Sequence, residues 1–320
     1  MIVALAGGVG GAKLADGLYR ELGPDALTVI NNTGDDFDLY GLRICPDCDT
    51  VLYTLAGIAN PETGWGIRDD TFATLDMLGS YGEDTWFRVG DRDFATHILR
   101  TQWLRMGWPL SRVTQTLAHA LGVRARLLPM CDELVATVVT TPAGERAFQE
   151  YFVRHHHSED VLGVRFDGIE RAGMTTAVRE ALDAANGIVL CPSNPVVSIG
   201  PILAVPGMRD YVRRRRVPVV AVSPIVSGKA LRGPADRMLT GLGGEASAFG
   251  VAWLYRDILT GFVIDQADAD QARRIEELGV RVLVTDTIME AAADRLRLAR
   301  DVLAFMRDGS HDAQAESENR

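Results

Sequence analysis

Short, mostly apolar runs occur at six places along the chain: 2–6, 27–31, 187–191, 217–223, 261–264 and 281–285. Val, Ile and Leu dominate these runs, and polar positions do not alternate with them. Runs of this kind are the mark of parallel strands covered on both faces. Helical periodicity fills intervals at 208–216, 235–242, 269–278 and 288–305. The alternation predicts an α/β fold, a Rossmann-like, doubly wound and mostly parallel sheet.

The middle of the chain breaks that rhythm. From about 71 to 121 the pattern is mostly helical, with Ile98-Leu99 and Trp103-Leu104 recurring at helical spacing and Ser111 a candidate N-cap before Val113. Segments 134–141 and 146–153, joined across Pro142-Ala143-Gly144-Glu145, predict a β-hairpin. The expected organisation is a nucleotide-binding core of 1–70 and 174–308, with a largely helical insertion and its hairpin at 71–173. The insertion is expected to pack over the carboxyl edge of the sheet, where ligands of such folds bind. The polar stretch 309–320 is expected to be disordered.

With 320 residues, 47% of them hydrophobic, the chain can bury a large core. Its net charge of −10 excludes a general nucleic-acid binder, and any polyanionic ligand must be met by local basic groups or a metal. No apolar run reaches membrane length and no basic flank or cleavage site opens the chain, so a cytoplasmic location is expected. The cysteines at 45, 48, 131 and 191 are too scattered for a disulfide framework. Cys45-Pro46-Asp47-Cys48 has the spacing of half a zinc site but lacks a second pair, so buried thiols are the better reading.

Candidate chemistry starts at Ala6-Gly7-Gly8-Val9-Gly10-Gly11-Ala12-Lys13, between the first strand and a helix. Glycines at 8, 10 and 11 let backbone N–H groups converge on phosphate at a helix N-terminus, with Lys13 alongside. The spacing is neither the dinucleotide fingerprint nor the Walker pattern, and a ligand-free tight turn is the alternative. After the second strand comes Asn32-Thr33-Gly34-Asp35-Asp36, and Asp49 follows Cys48. Asp35 and Asp49 together, opposite a phosphate loop, point to magnesium (Mg2+); taken singly, they make turns or cap helices. Trp86-Phe87-Arg88-Val89-Gly90-Asp91-Arg92-Asp93 can stack a flat ring and pair with phosphate or hydroxyl groups, or be a solvated turn with ion pairs. Ser193 and Asn194, in the loop after the strand at 187–191, suit a phosphate or a base edge, as does the loop from Ser223. His155-His156-His157 cannot all face one metal from a strand, and 213–216 reads as a basic helix end.

Collinear motifs then resemble a family. Gly7-Gly8-Val9-Gly10-Gly11, Asn32-Thr33-Gly34-Asp35-Asp36, Asp49-Thr50, Trp65-Gly66, Trp86-Phe87, Gly90-Asp91-Arg92-Asp93, Thr96-His97, Arg100-Thr101, Pro192-Ser193-Asn194-Pro195 and Ser223-Pro224-Ile225 look like the 2-phospho-L-lactate transferase family of coenzyme F420 biosynthesis. The resemblance runs from Met1 to about Phe305. It implies an enzyme that moves a phosphorylated three-carbon acid from a guanosine diphosphate conjugate to the 5′-hydroxyl of the deazaflavin Fo, with release of GMP. By the same resemblance, Asp49, Arg88, Trp86 and Asp91 fall on the Fo side. Gly8, Gly10, Gly11, Lys13, Ser193 and Asn194 fall on the nucleotide side, Asp35 and Asp49 carry metal and catalysis, and the chain is a homodimer.

Two other classes share part of this pattern. A nucleotide-binding regulator of the same fold would not need the acceptor segment 86–97 with Asp49. An NAD-dependent dehydrogenase would have an acid after the second strand, as here, but the glycine spacing is wrong for it. Lactate, enolpyruvate and glycerate donors are not distinguished by any single residue.

Overall fold

The computed structural model describes residues 1–318. The chain opens as a βαβ unit: β1 (Ile2–Ala6), α1 (Gly8–Leu22) and β2 (Leu27–Asn31). An antiparallel ribbon of β3 (Phe37–Leu39) and β4 (Leu42–Ile44) leads into α2 (Pro46–Leu55). Three helices follow, α3 (Ala73–Ser80), α4 (Asp91–Arg105) and α5 (Leu110–Ala120), and then β5 (Arg126–Pro129). β6 (Ala136–Thr141), β7 (Gly144–Ala147) and β8 (Gly163–Asp167) form a separate antiparallel sheet.

The carboxyl half resumes the alternation. It comprises α6 (Thr176–Asp183), β9 (Gly187–Leu190), α7 (Ile199–Ala204), α8 (Met208–Arg214) and β10 (Val219–Val222). A ribbon of β11 (Ile225–Val226) and β12 (Lys229–Ala230) precedes α9 (Ala235–Gly241) and α10 (Ala248–Tyr255). The chain ends with β13 (Gly261–Asp265), α11 (Ala272–Glu276), β14 (Arg281–Thr285) and α12 (Ala292–Glu318).

The central sheet has seven strands in the order β14-β13-β10-β9-β1-β2-β5, and its pairs are parallel. From β1 the chain winds outward through β2 to β5, returns to β9 on the other side of β1, and winds outward again. The winding reverses between β1 and β9, so the crevice beyond their carboxyl ends is where an open α/β sheet binds ligands. β2, β9, β10 and β13 are buried along their whole length, as their mostly apolar runs predict. Along β1 the side chains alternate between two cores: Val3 and Leu5 face one layer, Ala4 and Ala6 the other.

The expected strands form the central sheet and the expected helices flank it, joined by α6, α7 and α10, which the sequence pattern does not mark; four differences are of physical interest. β5 is an edge strand of the central sheet although it lies inside 71–173, the stretch read as an insertion. Its four residues begin with Arg126 and end with Pro129, and the two leucines between them are too short an apolar signal to read. The hairpin forms, but its second arm stops at Ala147, and Glu150–Arg154 makes a π-helical turn instead of strand. Ser111 is not an N-cap: Pro109 precedes α5, and Ser111 is tied to Asp132 through its backbone N–H (2.6 Å) and its hydroxyl (3.0 Å). α12 continues as helix through most of the stretch expected to be disordered, while residues 319 and 320 lie outside the described residues.

α1 and α12 pack with almost no side chain between them at one point. A Cβ on Gly17 would collide with the Arg295 carbonyl, and buried Asp16 beside it bonds both Arg20 Nε (2.8 Å) and Arg295 Nη1 (3.1 Å). Gly17→Val forces the two helices apart and is expected to cost about 1–3 kcal/mol, the usual range for overpacking. Urea denaturation measures it, and an unchanged midpoint would contradict the contact.

Candidate active site

Three backbone segments meet at the end of β1. The Gly7 N–H donates to Ser193 Oγ at 3.1 Å, and the same hydroxyl donates back to the Gly7 carbonyl at 2.8 Å. A Cβ on Gly7 would strike the Asp47 carboxylate, one on Gly10 the Pro192 carbonyl, and one on Gly11 the Ser193 hydroxyl. Gly8 takes a left-handed conformation, φ +62°. The glycines therefore allow the loop after β9 to lie directly on the first turn of α1. Asn194 shapes that loop from within, since its Oδ1 accepts the N–H groups of Val196 (2.9 Å) and Val197 (3.3 Å).

A cavity of about 920 Å³ opens above this junction. Gly8, Gly10, Lys13, Asp35, Asp49, Trp86, Arg88, Ser193 and Asn194, all expected site residues, line it. Gly11 lies beneath it, against Ser193. Asp91 is not among the lining residues. Its carboxylate accepts from the Thr71 hydroxyl (2.6 Å) and the N–H groups of Ala73 (3.0 Å) and Thr74 (2.8 Å). Those bonds, led by Thr71, hold its pKa well below the usual carboxylate range and make it the cap of α3 rather than a ligand contact.

Asp49 sits in the first turn of α2 because Pro46 starts that helix five residues before the apolar run at Val51. Its carboxylate is gripped by both Nη atoms of Arg100 on α4, with Nη1 3.0 Å from Oδ2. Arg100 is 2% exposed. Its Nη1 is also 3.1 Å from His97 Nδ1, and an arginine can only donate, so Nδ1 is the acceptor. That fixes the other ring nitrogen as the N–H, facing Asp93 Oδ1 at 3.3 Å. The Tyr53 hydroxyl donates to the same oxygen at 2.5 Å. Burial opposes ionisation of Asp93, but the close approach of His97 and the bond from Tyr53 outweigh it and keep its pKa low.

A second acid group faces the glycine loop. Asp47 accepts from Asn32 Nδ2 at 2.8 Å. Burial, then the charge of Asp47, pushes Asp35 well above the usual range, and its buried Oδ1 has no hydrogen-bond partner. Burial also raises Asp47. Among the described residues no three His, Cys, Asp or Glu side chains form a metal-holding group. Two oxygen donors on the cavity wall, one with an unsatisfied oxygen, nevertheless suit a hard cation that takes its remaining ligands from phosphate and water. Asp35 with Asp47 fits that description; Asp49 does not, because Arg100 already neutralises it.

The remaining walls are aromatic and basic. Trp86 and Phe87 cluster with Phe37, at ring-centroid distances of 5.9 and 5.0 Å, and the Arg88 guanidinium lies 4.0 Å from the Phe72 ring centre. Lys13 Nζ donates to the Met289 carbonyl at 2.5 Å, and its pKa is lowered by burial and then by the charges of Arg232 and Arg295. Opposite lie Phe148 and Phe152, stacked at 5.6 Å, with His156 and His157. The sequence reading gave these histidines no role because it placed them on a strand. They lie instead on a turn, with φ of +50° and +42°, which brings both to the cavity. Asp47 and Tyr53 also line it without having been read as ligand contacts, and so do Asp93 and His97 of the acceptor segment 86–97.

Asp36 gives the site a pH signature. The residue is half-buried, but its Oδ1 is sealed from water, and burial raises its pKa from 3.8 to about 8. The unfolded chain releases this proton near the ordinary carboxylate value while the folded protein holds it, so stability falls as pH rises between the two. Asp36→Asn is expected to flatten that fall, measured as urea midpoints at about pH 5 and about pH 8.5. Equal losses in parent and variant would mean that Asp36 is ionised throughout.

The family model "2-phospho-L-lactate transferase CofD" matches residues 2–300. A phosphoenolpyruvate transferase of Kitasatospora aureofaciens is 46% identical, the alignment covering 97% of this chain and 99% of that one. A 2-phospho-L-lactate transferase of Methanothermobacter thermautotrophicus is 42% identical over 95% of this chain and 97% of its own. In fold, the chain matches the crystal structure of a UPF0052-family protein of Bacillus halodurans with a TM-score of 0.61 at 14% identity, covering 94% of this chain and 98% of that one. The match is thus end to end and runs through every wall of the cavity, and the chain belongs to the 2-phospho-L-lactate transferase CofD family, a transferase of deazaflavin-coenzyme biosynthesis.

Proposed function

We propose that this transferase moves a phosphoenolpyruvyl group from its guanosine diphosphate conjugate to the 5′-hydroxyl of the deazaflavin Fo. In the reaction a new P–O bond forms to that hydroxyl, the P–O bond to GMP breaks, and the hydroxyl proton leaves. The carrying observation is that one cavity is lined by two chemically different sets of residues: glycine backbone with Lys13, and Asp49 with Trp86, Phe87 and Arg88. The first suits a diphosphate at a helix N-terminus. The second offers a flat ring its aromatic contacts and a hydroxyl an ionic acceptor.

Phosphoenolpyruvyl is favoured over 2-phospholactyl and 3-phosphoglyceryl because the relatives at 46% identity carry the phosphoenolpyruvate name, while those named for phospholactate stand at 38–42%. Mg2+, held by Asp35 and Asp47, offsets the charge of the diphosphate when bound. Asp49 keeps a free lone pair on each oxygen while Arg100 fixes its direction, so it can accept the hydrogen bond of the attacking hydroxyl. His97 does not take that role, because its Nδ1 lone pair is already bound by Arg100.

The test is incubation with Fo, magnesium and each of the three guanosine conjugates, with products read by mass. The phosphoenolpyruvyl conjugate should react fastest and release GMP. Normal nucleotide binding without turnover on any donor would return the chain to a regulatory role. Chelator should abolish turnover and added magnesium restore it; full activity in excess chelator would remove the metal. Asp49→Asn should lower turnover by about 10²-fold or more while GDP affinity stays within roughly twofold. Thermal melting must accompany it, because the change leaves Arg100 buried without its counter-charge.

A further inference from the structure

Arg232 and Lys13 line the same wall, and each donates to neutral backbone carbonyls rather than to a carboxylate. Lys13 bonds Met289; Arg232 bonds Thr63 through Nη1 and Glu62 through Nη2, the latter at 3.4 Å. Among the described residues neither makes an ion pair, in a chain whose net charge is −10. The charge of Arg232 is one of the causes depressing Lys13. Glu290 and Asp294 also act on Lys13, but less than Arg232 and Arg295 do, so the two cations on this wall repel one another at a cost that an anion removes.

The carbonyls that Arg232 holds belong to a compact loop. Its base is closed by a bridge between Ala59 and Ile67 and by Asn60 N–H to the Gly66 carbonyl at 3.0 Å. Its tip, Gly64, takes φ +78°, and a Cβ there would strike Val9 of the glycine loop and come within 3.2 Å of Arg232 Nη1. The next residue, Trp65, lines the cavity yet is 42% exposed. The loop tip therefore rests on the first turn of α1, with the guanidinium alongside it.

We propose that Arg232 is an anion-binding residue for a diphosphate and at the same time the latch of the 60–66 loop, so that diphosphate binding and closure of the loop over α1 are one event. A guanidinium has five N–H donors in a fork that matches phosphate. The two carbonyl bonds leave Nε–H and one hydrogen on each Nη for the ligand. Lysine could replace the charge but could not span the loop and the anion in the same way. The inference rests on the proposed donor end of the cavity and adds to it a residue and a moving part.

Calorimetric titration with inorganic pyrophosphate and with GDP tests it, on the parent, Arg232→Gln and Arg232→Lys. Tryptophan fluorescence is followed in parallel, and Trp65→Phe identifies the part of the signal that belongs to Trp65. Arg232→Gln should lose about tenfold or more in pyrophosphate affinity and the Trp65 response together. Arg232→Lys should recover part of the affinity but not the response. Pyrophosphate binding within twofold of the parent in Arg232→Gln, or recovery of both signals by lysine, would overturn the proposal. A parent that binds pyrophosphate but not GDP would leave Arg232 in place and remove the nucleotide donor; a parent that binds neither overturns both.

Discussion

At the end of β1 there is no room for a side chain. Gly7, Gly10 and Gly11 each lie where a Cβ would enter another segment, and the Ser193 hydroxyl closes the gap by accepting from and donating to Gly7. This contact joins the two halves of the sheet at the point where the winding reverses, since Gly7 follows β1 and Ser193 follows β9. Both walls of the cavity hang from it: α1 with Lys13 on one side, and the loop 192–198 leading to α7 on the other. A glycine-rich loop is usually explained by what the ligand needs. Here the same glycines are required before any ligand arrives, because the two loops could not otherwise meet.

The buried Asp49–Arg100 pair is a different kind of constraint. Removing both groups from water costs several kcal/mol per ion, and a bidentate pair offsets that cost only when its geometry is good. α4 supplies the geometry by carrying Asp93, His97 and Arg100 at intervals of four and three, on one face. His97 is thereby fixed in one tautomer between a cation and a carboxylate, and Tyr53 ties Asp93 to α2. The network holds an ionic carboxylate at a set position on the cavity wall, an arrangement poorly explained by stability alone, for which apolar packing would serve as well.

What the sequence revealed follows from where each signal resides. Strands covered on both faces write themselves as mostly apolar runs, so the central sheet was readable apart from β5, whose four residues are too few. The glycine loop was readable because backbone approach demands one residue type. Asp91 was misplaced because a carboxylate beside aromatics and arginines has the same composition whether it binds a ligand or caps α3. Arg100 and Arg232 were given no role because their partners, Asp49 and the carbonyls of Glu62 and Thr63, lie far away in sequence. The Asp93, His97, Arg100 spacing was the one local clue to the buried network. His156 and His157 escaped because left-handed backbone at two consecutive histidines has no sequence signature.

The acidity of the chain and the anionic ligand proposed for it are reconciled by where the charges stand. Asp35, Asp36 and Asp47 crowd the junction of the loops, yet burial raises all three pKa values, so they are less negative than their number implies. Asp49 is balanced by Arg100. The basic groups near the glycine loop are Lys13, Arg232 and the positive end of α1, so the proposed diphosphate would meet attraction there despite a net charge of −10. A cation bound at Asp35 and Asp47 would ionise them without making the site repulsive, because the charge it draws out of the carboxyls is charge it also neutralises. Under the proposed metal binding, protons and a divalent cation would compete for the same two carboxyl groups, and either occupant would keep the cavity open to an anion.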